Sequence, residues 1–171
     1  MKIQIMGFSG SGKSTLAKSL SEYYNIPILY LDNVKFYGDW QERTKEEQEK
    51  IVSDFINEND NWIIDGNYLN LVPSRFIICD TIIFLDFNRF FCLDQAFKRY
   101  KKHKGKVRES CGAEEKMDFE FFWWLIFRSR TRKRRRKMFE RFNDCTGNKH
   151  LFKNRKSLHK YLKENKIDLI V

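Results

Sequence analysis

Short apolar runs, bounded by turn-forming or charged residues, recur along the chain. Four of them, at 3–6, 26–31, 62–64 and 81–85, are rich in β-branched or aromatic side chains, and a fifth at 150–152 is less distinct. Runs of this length and composition are typical of strands buried on both faces of a sheet. The pattern therefore predicts five β-strands.

Longer stretches between these runs have the composition and apolar spacing of helices. They are residues 12–24, 45–59, 89–104, 118–142 and 157–165. Because parallel strands need a crossover connection, this alternation predicts a mostly parallel sheet with helices on both faces, an α/β fold. Ligands of such folds bind at the carboxyl ends of the strands.

Length and cysteine usage restrict the class of protein. A chain of 171 residues supports one hydrophobic core, so a single domain over 1–171 is expected. The four cysteines show neither zinc-ligand nor disulfide spacing, and the chain opens on a strand instead of a signal peptide. No apolar run approaches the roughly 20 residues of a membrane-spanning helix. We therefore expect a soluble cytoplasmic protein without a membrane partner.

A glycine-rich segment follows the first predicted strand directly. Residues 7–15 read GFSGSGKST, which fits the pattern G-x-x-x-x-G-K-[ST]. Its glycines let the backbone curl so that successive N–H groups point at phosphate oxygens, and the next helix directs its positive dipole end at the same anion. In this motif Lys13 would reach the β- and γ-phosphates, and the Ser14 hydroxyl would ligate Mg²⁺. The segment predicts a site for ATP and Mg²⁺.

The predicted nucleotide-binding residues come from this glycine-rich loop. They are Gly7, Ser9, Gly10, Ser11, Gly12, Lys13, Ser14 and Thr15. Lys13 also counts as catalytic because it would contact the transferred phosphoryl group. The alternative is a chance glycine-rich turn, but the position between an apolar strand and an amphipathic helix argues against it.

Three acidic residues follow predicted buried strands and should face the glycine-rich loop. They are Asp32, Asp65 and Asp86. Phosphoryl transfer needs one carboxylate on the Mg²⁺ side and another that orients or deprotonates the attacking group. The alternative for each is a helix cap or turn former, and Asp86 fits that role best because a predicted helix begins at Arg89. The pattern alone does not rank Asp65 above Asp86.

Four segments carry a family resemblance: GFSGSGKS, LYLDNVKFYGDW, WIIDGNY and RESCGAEEKMDFEF. Together they resemble the bacterial DNA topology modulation proteins, a group similar to adenylate kinases, and the resemblance covers nearly the whole chain. It implies a three-layer P-loop fold with a five-stranded parallel sheet in the order 2-3-1-4-5, an acceptor-binding region after strand two and an arginine-rich helical lid. It also implies that Asp65 is the magnesium-side carboxylate, which assigns the metal to Ser14 and Asp65.

The chain departs from adenylate kinases after Asp65. Those enzymes typically continue with Gly-Phe-Pro-Arg, whereas this chain has Gly66-Asn67-Tyr68 and no arginine before Arg75. The arginine that would hold a mononucleotide phosphate is missing from its expected place, which argues against AMP as the acceptor. A hydroxylated or nucleoside-like acceptor is expected instead, bound by hydrogen bonds and an aromatic wall. Its predicted contacts are Asp32, Asn33, Trp40, Asn67 and Tyr68.

The net charge of +10 is concentrated in one part of the chain. Residues 87–156 carry 22 Lys/Arg against 8 Asp/Glu, whereas residues 1–86 carry 8 against 13. Such a focused positive field implies a polyanionic partner, which is a nucleotide phosphate, a nucleic acid or an anionic membrane.

Arginines in this basic region are suited to phosphoryl transfer, because their planar fork stabilises charge spread over the transferring group. We expect a lid or helical region at about 99–142, with Arg99 and Arg108 as its catalytic arginines. Arg108 falls in the loop 104–112, which can swing over bound phosphates. Further candidates are Arg128 and Arg132.

The run 128–137 holds eight basic residues among ten. The simplest interpretation is the solvated end of one long helix over 118–142, whose aromatic residues pack on the core. A second is weak nucleic-acid binding through residues 128–137. A membrane-surface helix ranks last, because the apolar and basic residues form consecutive blocks and not opposite faces.

These observations together favour a P-loop kinase that transfers a phosphoryl group from ATP-Mg²⁺ to an acceptor that the sequence does not identify. The enzyme would be either a nucleotide-kinase-like protein or a small-molecule kinase. The alternatives are a nucleic-acid-associated P-loop ATPase or regulatory protein, and a polynucleotide kinase. No helix-turn-helix or zinc-finger pattern accompanies the basic run.

Overall fold

A five-stranded parallel sheet forms the centre of the computed structural model, which describes residues 1–37, 41–103, 123 and 128–169. The strands run in the order β2-β3-β1-β4-β5, so the predicted sheet order is confirmed. Their bounds are β1 Lys2–Gly7, β2 Ile28–Tyr30, β3 Trp62–Asp65, β4 Thr81–Leu85 and β5 Asn148–Phe152.

Helices cover both faces of this sheet, as the alternation of elements predicts. Their bounds are α1 Lys13–Tyr24, α2 Leu31–Lys35, α3 Lys45–Glu58, α4 Arg75–Ile78, α5 Arg89–His103, α6 Arg132–Asp144 and α7 Arg155–Glu164. The sequence analysis missed α2 and α4. With five and four residues, they are too short to show a helical period. Among the described residues, no helix is both long and apolar enough to cross a membrane.

Burial explains why the strands differ in how clearly they can be predicted. Every residue of β3 is buried, and so are five of the six in β1. By contrast β5 lies at the edge of the sheet, and its Asn148 and Lys149 are exposed. Strands buried on both faces give continuous apolar runs, whereas an edge strand keeps polar residues. The indistinct pattern at 150–152 reflects this edge position.

The prediction of one continuous helix over 118–142 is wrong in its second half. Ser129 and Arg130 form a turn, and α6 begins at Arg132. The Thr131 side chain accepts a hydrogen bond from the Arg134 N–H and so caps the new helix. Threonine before a helical stretch is a helix-start signal, which the unbroken basic run obscured. Most of the predicted lid, 99–142, lies outside the described residues.

A fully buried arginine connects α4 to the central strand. Arg75 and Gln4 are each 0% exposed, and Arg75 Nε donates to Gln4 Oε1 at 2.9 Å. The other guanidinium nitrogens donate to the carbonyl oxygens of Tyr68, Leu71 and Val72. All of these partners are neutral oxygens. Burial lowers the pKa of Arg75 to about 9, so the side chain stays cationic at neutral pH.

Gln4 extends this network to the end of β3. Its Nε2 atom donates to the carbonyl oxygens of Ile5, Ile64 and Gly66 at 3.0–3.2 Å. Residues 66–72, here called the β3–α4 loop, are therefore held at both ends by buried polar contacts. A loop fixed in this way can present its side chains at constant positions.

Replacing Arg75 by methionine tests this anchor. Arg75→Met keeps an apolar stem but removes the guanidinium donors of the buried Gln4 Oε1 and of the Leu71 carbonyl oxygen. We expect the free energy of unfolding to fall by about 3 kcal/mol, measured by urea denaturation. The exposed Arg155 of α7 provides the matched control, since Arg155→Met should change it by no more than about 0.5 kcal/mol. Equal losses in the two variants would contradict the anchoring role.

Candidate active site

The carboxyl ends of three strands meet at one edge of the sheet. Gly7 ends β1 and pairs with Leu85 of β4, while Asp65 ends β3 beside Ile5. Asp86 follows β4 directly, and its N–H donates to the carbonyl oxygen of Phe152, the last residue of the edge strand β5. The glycine-rich loop and two of the predicted carboxylates therefore share the edge at which ligands of α/β folds bind.

The three glycines of the loop adopt backbone conformations that L side chains rarely take. Gly10 has φ +78°, and a Cβ there would lie 2.0 Å from the carbonyl oxygen of Cys92 in α5. Gly12 has φ +90° and precedes α1, which has no side chain capping its first turn. The first N–H groups of α1 are consequently available to an anion.

Two side chains of the loop are also suited to an anion. Lys13 Nζ donates to the Phe8 carbonyl oxygen at a distance of 3.4 Å, so it bends back over the loop. Ser11 is 4% exposed, and its Oγ has no hydrogen-bond partner among the described residues. An unsatisfied buried hydroxyl is costly, and a phosphate oxygen would satisfy it. The loop thus fits the triphosphate that its sequence predicts.

The predicted metal ligands Ser14 and Asp65 lie in direct contact. Ser14 Oγ donates to Asp65 Oδ2 at 2.7 Å, and Asp65 is 6% exposed. Ser14 is in the first turn of α1 and Asp65 is the last residue of β3, so the P-loop sequence and the strand end converge. A hydroxyl and a carboxylate are oxygen ligands of the type that Mg²⁺ prefers. The pair fits the predicted ion.

Asp86 has a different partner. Arg135 of α6 donates from Nη2 to Asp86 Oδ2 at 2.6 Å, and the Asp86 side chain is 8% exposed. The carboxylate is therefore engaged in an ion pair that attaches α6 to this edge of the sheet. This contact separates the two candidates that the sequence pattern left equal, because Asp65 faces Ser14 and Asp86 faces an arginine.

Two of the predicted acceptor contacts bind each other. The Tyr68 hydroxyl donates to Asp32 Oδ1 at 2.6 Å. Burial raises the pKa of Tyr68, and the Asp32 carboxylate raises it further, so the phenol stays protonated. Asp32 lies in the first turn of α2 and not at the end of β2 as expected, because β2 stops at Tyr30. Its second carboxylate oxygen can accept from another hydroxyl.

The other predicted site residues are placed as follows. Asn67 binds the backbone of Gly7 through both ends of its amide. Asn33 is half-buried in α2, and its main-chain carbonyl oxygen accepts a hydrogen bond from Arg43 Nη1. Arg99 is half-buried on the second half of α5. Trp40 and Arg108 lie outside the described residues.

Three arginines that sequence analysis did not single out approach the site. Arg130 stacks on Phe8 of the glycine-rich loop, 3.8 Å from the ring centre, and donates to Cys92 Sγ at 3.1 Å. Burial lowers the pKa of Arg130. Arg134 is half-buried, and its charge acts on Tyr68. The third is Arg135, the partner of Asp86.

One signal in the sequence could have identified Arg135. Met138 and Phe142 are buried on α6, and Phe139 packs against Phe84 of β4. Helical spacing extended from this apolar face reaches Arg135, three residues before Met138. Arg135, Arg136 and Lys137 are all exposed, but Arg135 pairs with Asp86 at the edge of the sheet whereas Arg136 pairs with Glu140 of its own helix. Nucleic-acid binding by the basic run stays a prediction.

Comparison with known proteins gives a fold but no sequence family. No protein-family model matches the chain, and no curated protein is similar to it in sequence. Shikimate kinase from Bacteroides thetaiotaomicron is 14% identical with a TM-score of 0.56, over 96% of this chain and 97% of that one. Deoxyadenosine kinase from M. mycoides with bound dATP is 14% identical with a TM-score of 0.53, over 97% and 99%. The resemblance to DNA topology modulation proteins is not confirmed, and the chain has the fold of P-loop kinases.

Proposed function

We propose that the protein is an ATP-dependent phosphotransferase that acts on a small hydroxylated acceptor. The observation that carries the proposal is the contact between Ser14 and Asp65 at the start of α1. It joins the P-loop hydroxyl to a strand-end carboxylate, which are the two protein groups that P-loop enzymes place around Mg²⁺. The solved structures with this fold include two small-molecule kinases, which agrees with the proposal.

On the nucleotide side, the backbone N–H groups of the glycine-rich loop and the N-terminus of α1 would hold the β- and γ-phosphates. Lys13 would turn from the Phe8 carbonyl to the phosphates. Ser14 and Asp65 would hold Mg²⁺, Asp65 directly or through water. When bound, the ion neutralises charge that develops on the phosphate oxygens.

On the acceptor side, Asp32 would accept the proton of the attacking hydroxyl. Tyr68 fixes the orientation of that carboxylate through its 2.6 Å hydrogen bond and stays protonated while doing so. The acceptor oxygen would form a bond to the γ-phosphorus while the bond to the β–γ bridging oxygen breaks, and ADP leaves. Positioning two reactants in this way supplies much of the rate enhancement in phosphoryl transfer.

Arginines would stabilise the charge on the transferring group. Arg130 stacks on Phe8 of the glycine-rich loop. Arg134 and Arg135 lie nearby in the chain, in the first turn of α6. We propose Arg130 for this role beside Arg99 and Arg108, which stay predictions from the sequence. Arg130 is half-buried, so solvent would screen its charge less than that of an exposed arginine.

The proposal is tested by incubating the pure protein with labelled ATP and Mg²⁺ and a panel of nucleosides, nucleotides, sugars and oligonucleotides. A labelled small hydroxylated product supports it. Labelled oligonucleotide would instead identify a polynucleotide kinase, and ATP hydrolysis stimulated by nucleic acid would identify the nucleic-acid-associated ATPase. The oligonucleotides are included in the panel because Arg136 and Lys137 of α6 are exposed and could contact a nucleic-acid backbone.

Substitution of Lys13 should abolish turnover and leave the fold intact. Its charge is needed only when phosphates are present, so Lys13→Ala should reduce kcat by roughly 100-fold or more with the best acceptor of the panel. Lys18 is exposed on the same helix, and Lys18→Ala should retain near-normal kcat. Thermal unfolding of both variants checks the fold. Near-normal ATP consumption by Lys13→Ala would show that the loop does not act in catalysis.

The two strand-end carboxylates should differ in their response to Mg²⁺. Asp65→Asn should raise the Mg²⁺ concentration needed for half-maximal turnover by roughly tenfold or more, because it weakens a group on the metal side. Asp86→Asn removes one half of an ion pair with Arg135 and should change this requirement much less. Magnesium titrations of the two variants decide the matter. A larger defect in Asp86→Asn would reverse the assignment.

A further inference from the structure

The side chain of Asn67 joins the β3–α4 loop to the first residue of the glycine-rich loop. Asn67 Oδ1 accepts from the Gly7 N–H at 2.9 Å, and Asn67 Nδ2 donates to the Gly7 carbonyl oxygen at 2.8 Å. One side-chain amide therefore satisfies both polar groups of a single residue. Such a paired contact fixes direction as well as distance, because both bonds must be aligned together.

This contact is made at the point where β1 turns into the phosphate-binding loop. Gly7 is the last residue of β1 and the first residue of the sequence GFSGSGKS. The path of the backbone from here decides where the next N–H groups of the loop point. A rotation of Gly7 would displace the groups that are meant to receive phosphate.

The anchor behind Asn67 is rigid. Gly66 is held by Gln4 Nε2, and the Tyr68 carbonyl is held by the buried guanidinium of Arg75. The residues on both sides of Asn67 are thus bound to the interior of the protein. Asn67 can transmit this fixed position to Gly7, whereas an asparagine on a free loop could not.

We propose that Asn67 is a positioning residue of the nucleotide site, which sets the geometry of the phosphate-binding loop by holding the Gly7 backbone. This assignment rests on the proposed binding of a nucleotide to the loop. It differs from the acceptor contact predicted from the sequence, because Asn67 acts here on the donor side of the reaction. The same loop carries Tyr68, so one short segment serves both substrates.

The first test is a calorimetric titration of ADP with Mg²⁺ at pH 7.5. Asn67→Ala removes both bonds to Gly7 without adding charge, and it should weaken ADP binding by about tenfold. Asn70 is exposed in the same loop, and Asn70→Ala should stay within about twofold of the wild type. An Asn67→Ala variant that also stays within twofold would overturn the proposal.

The second test uses Asn67→Asp, which is close in shape. At pH 7.5 the introduced carboxylate faces the Gly7 carbonyl oxygen without a proton to donate, so ADP binding should be weaker than in Asn67→Ala. Protonation restores one donor and one acceptor. As the pH falls towards 5, the affinity relative to wild type at the same pH should therefore recover and exceed that of Asn67→Ala.

The relative ADP affinity of Asn67→Asp should thus be lower than that of Asn67→Ala at pH 7.5 and higher near pH 5. This reversal distinguishes the proposed role from two simpler ones. If the carboxylate acted only by repelling phosphates, its protonation would bring Asn67→Asp to the level of Asn67→Ala and not beyond it. If Asn67 merely supported the fold, thermal unfolding would shift without a pH-dependent change in relative ADP affinity. Either result overturns the positioning role. Failure of the wild type to bind ADP would overturn the proposed function as well, whereas normal wild-type binding with unchanged variants overturns this inference alone.

Discussion

The buried guanidinium of Arg75 is the interaction on which the site depends. A cation enclosed by neutral oxygens is held by hydrogen bonds and not by a counter-charge, so each of its partners must stay in place. Those partners are Gln4 in the central strand and carbonyl groups of the β3–α4 loop. These bonds hold the sheet and the loop together, and the candidate site residues Asp65, Asn67 and Tyr68 lie in or beside this loop.

This rigidity allows one short segment to serve several parts of the proposed reaction. Asp65, Asn67 and Tyr68 are separated by at most three positions, yet they contact Ser14, Gly7 and Asp32 respectively. In the proposed function, the first two contacts belong to the nucleotide side and the third to the acceptor side. Side chains that lie close together on one chain segment vary less in their relative positions than side chains on separate helices or strands. Such a segment suits a reaction whose rate depends on alignment.

The sequence predicts the fold well where burial is complete, and it predicts the position of the glycine-rich loop because that loop carries a recognisable motif. Strands β1, β3 and β4 and the loop from Gly7 to Thr15 follow from apolar runs and glycine spacing, and the strand order followed from the family resemblance. The break at Thr131 and the short helix at Arg75 were missed, because neither produces a repeating pattern. Arg130 could not be found from spacing, since it lies in a turn and reaches Phe8 through tertiary packing alone.

The contact between Gly10 and α5 has a consequence for how this chain can change over evolution. A single hydrogen atom separates the loop from the Cys92 carbonyl, so even alanine at position 10 would push α5 outward. The close approach of the glycine-rich loop to α5 consequently depends on the absence of a side chain at position 10. A related protein with a larger residue at position 10 could therefore retain this loop conformation only if α5 were placed differently.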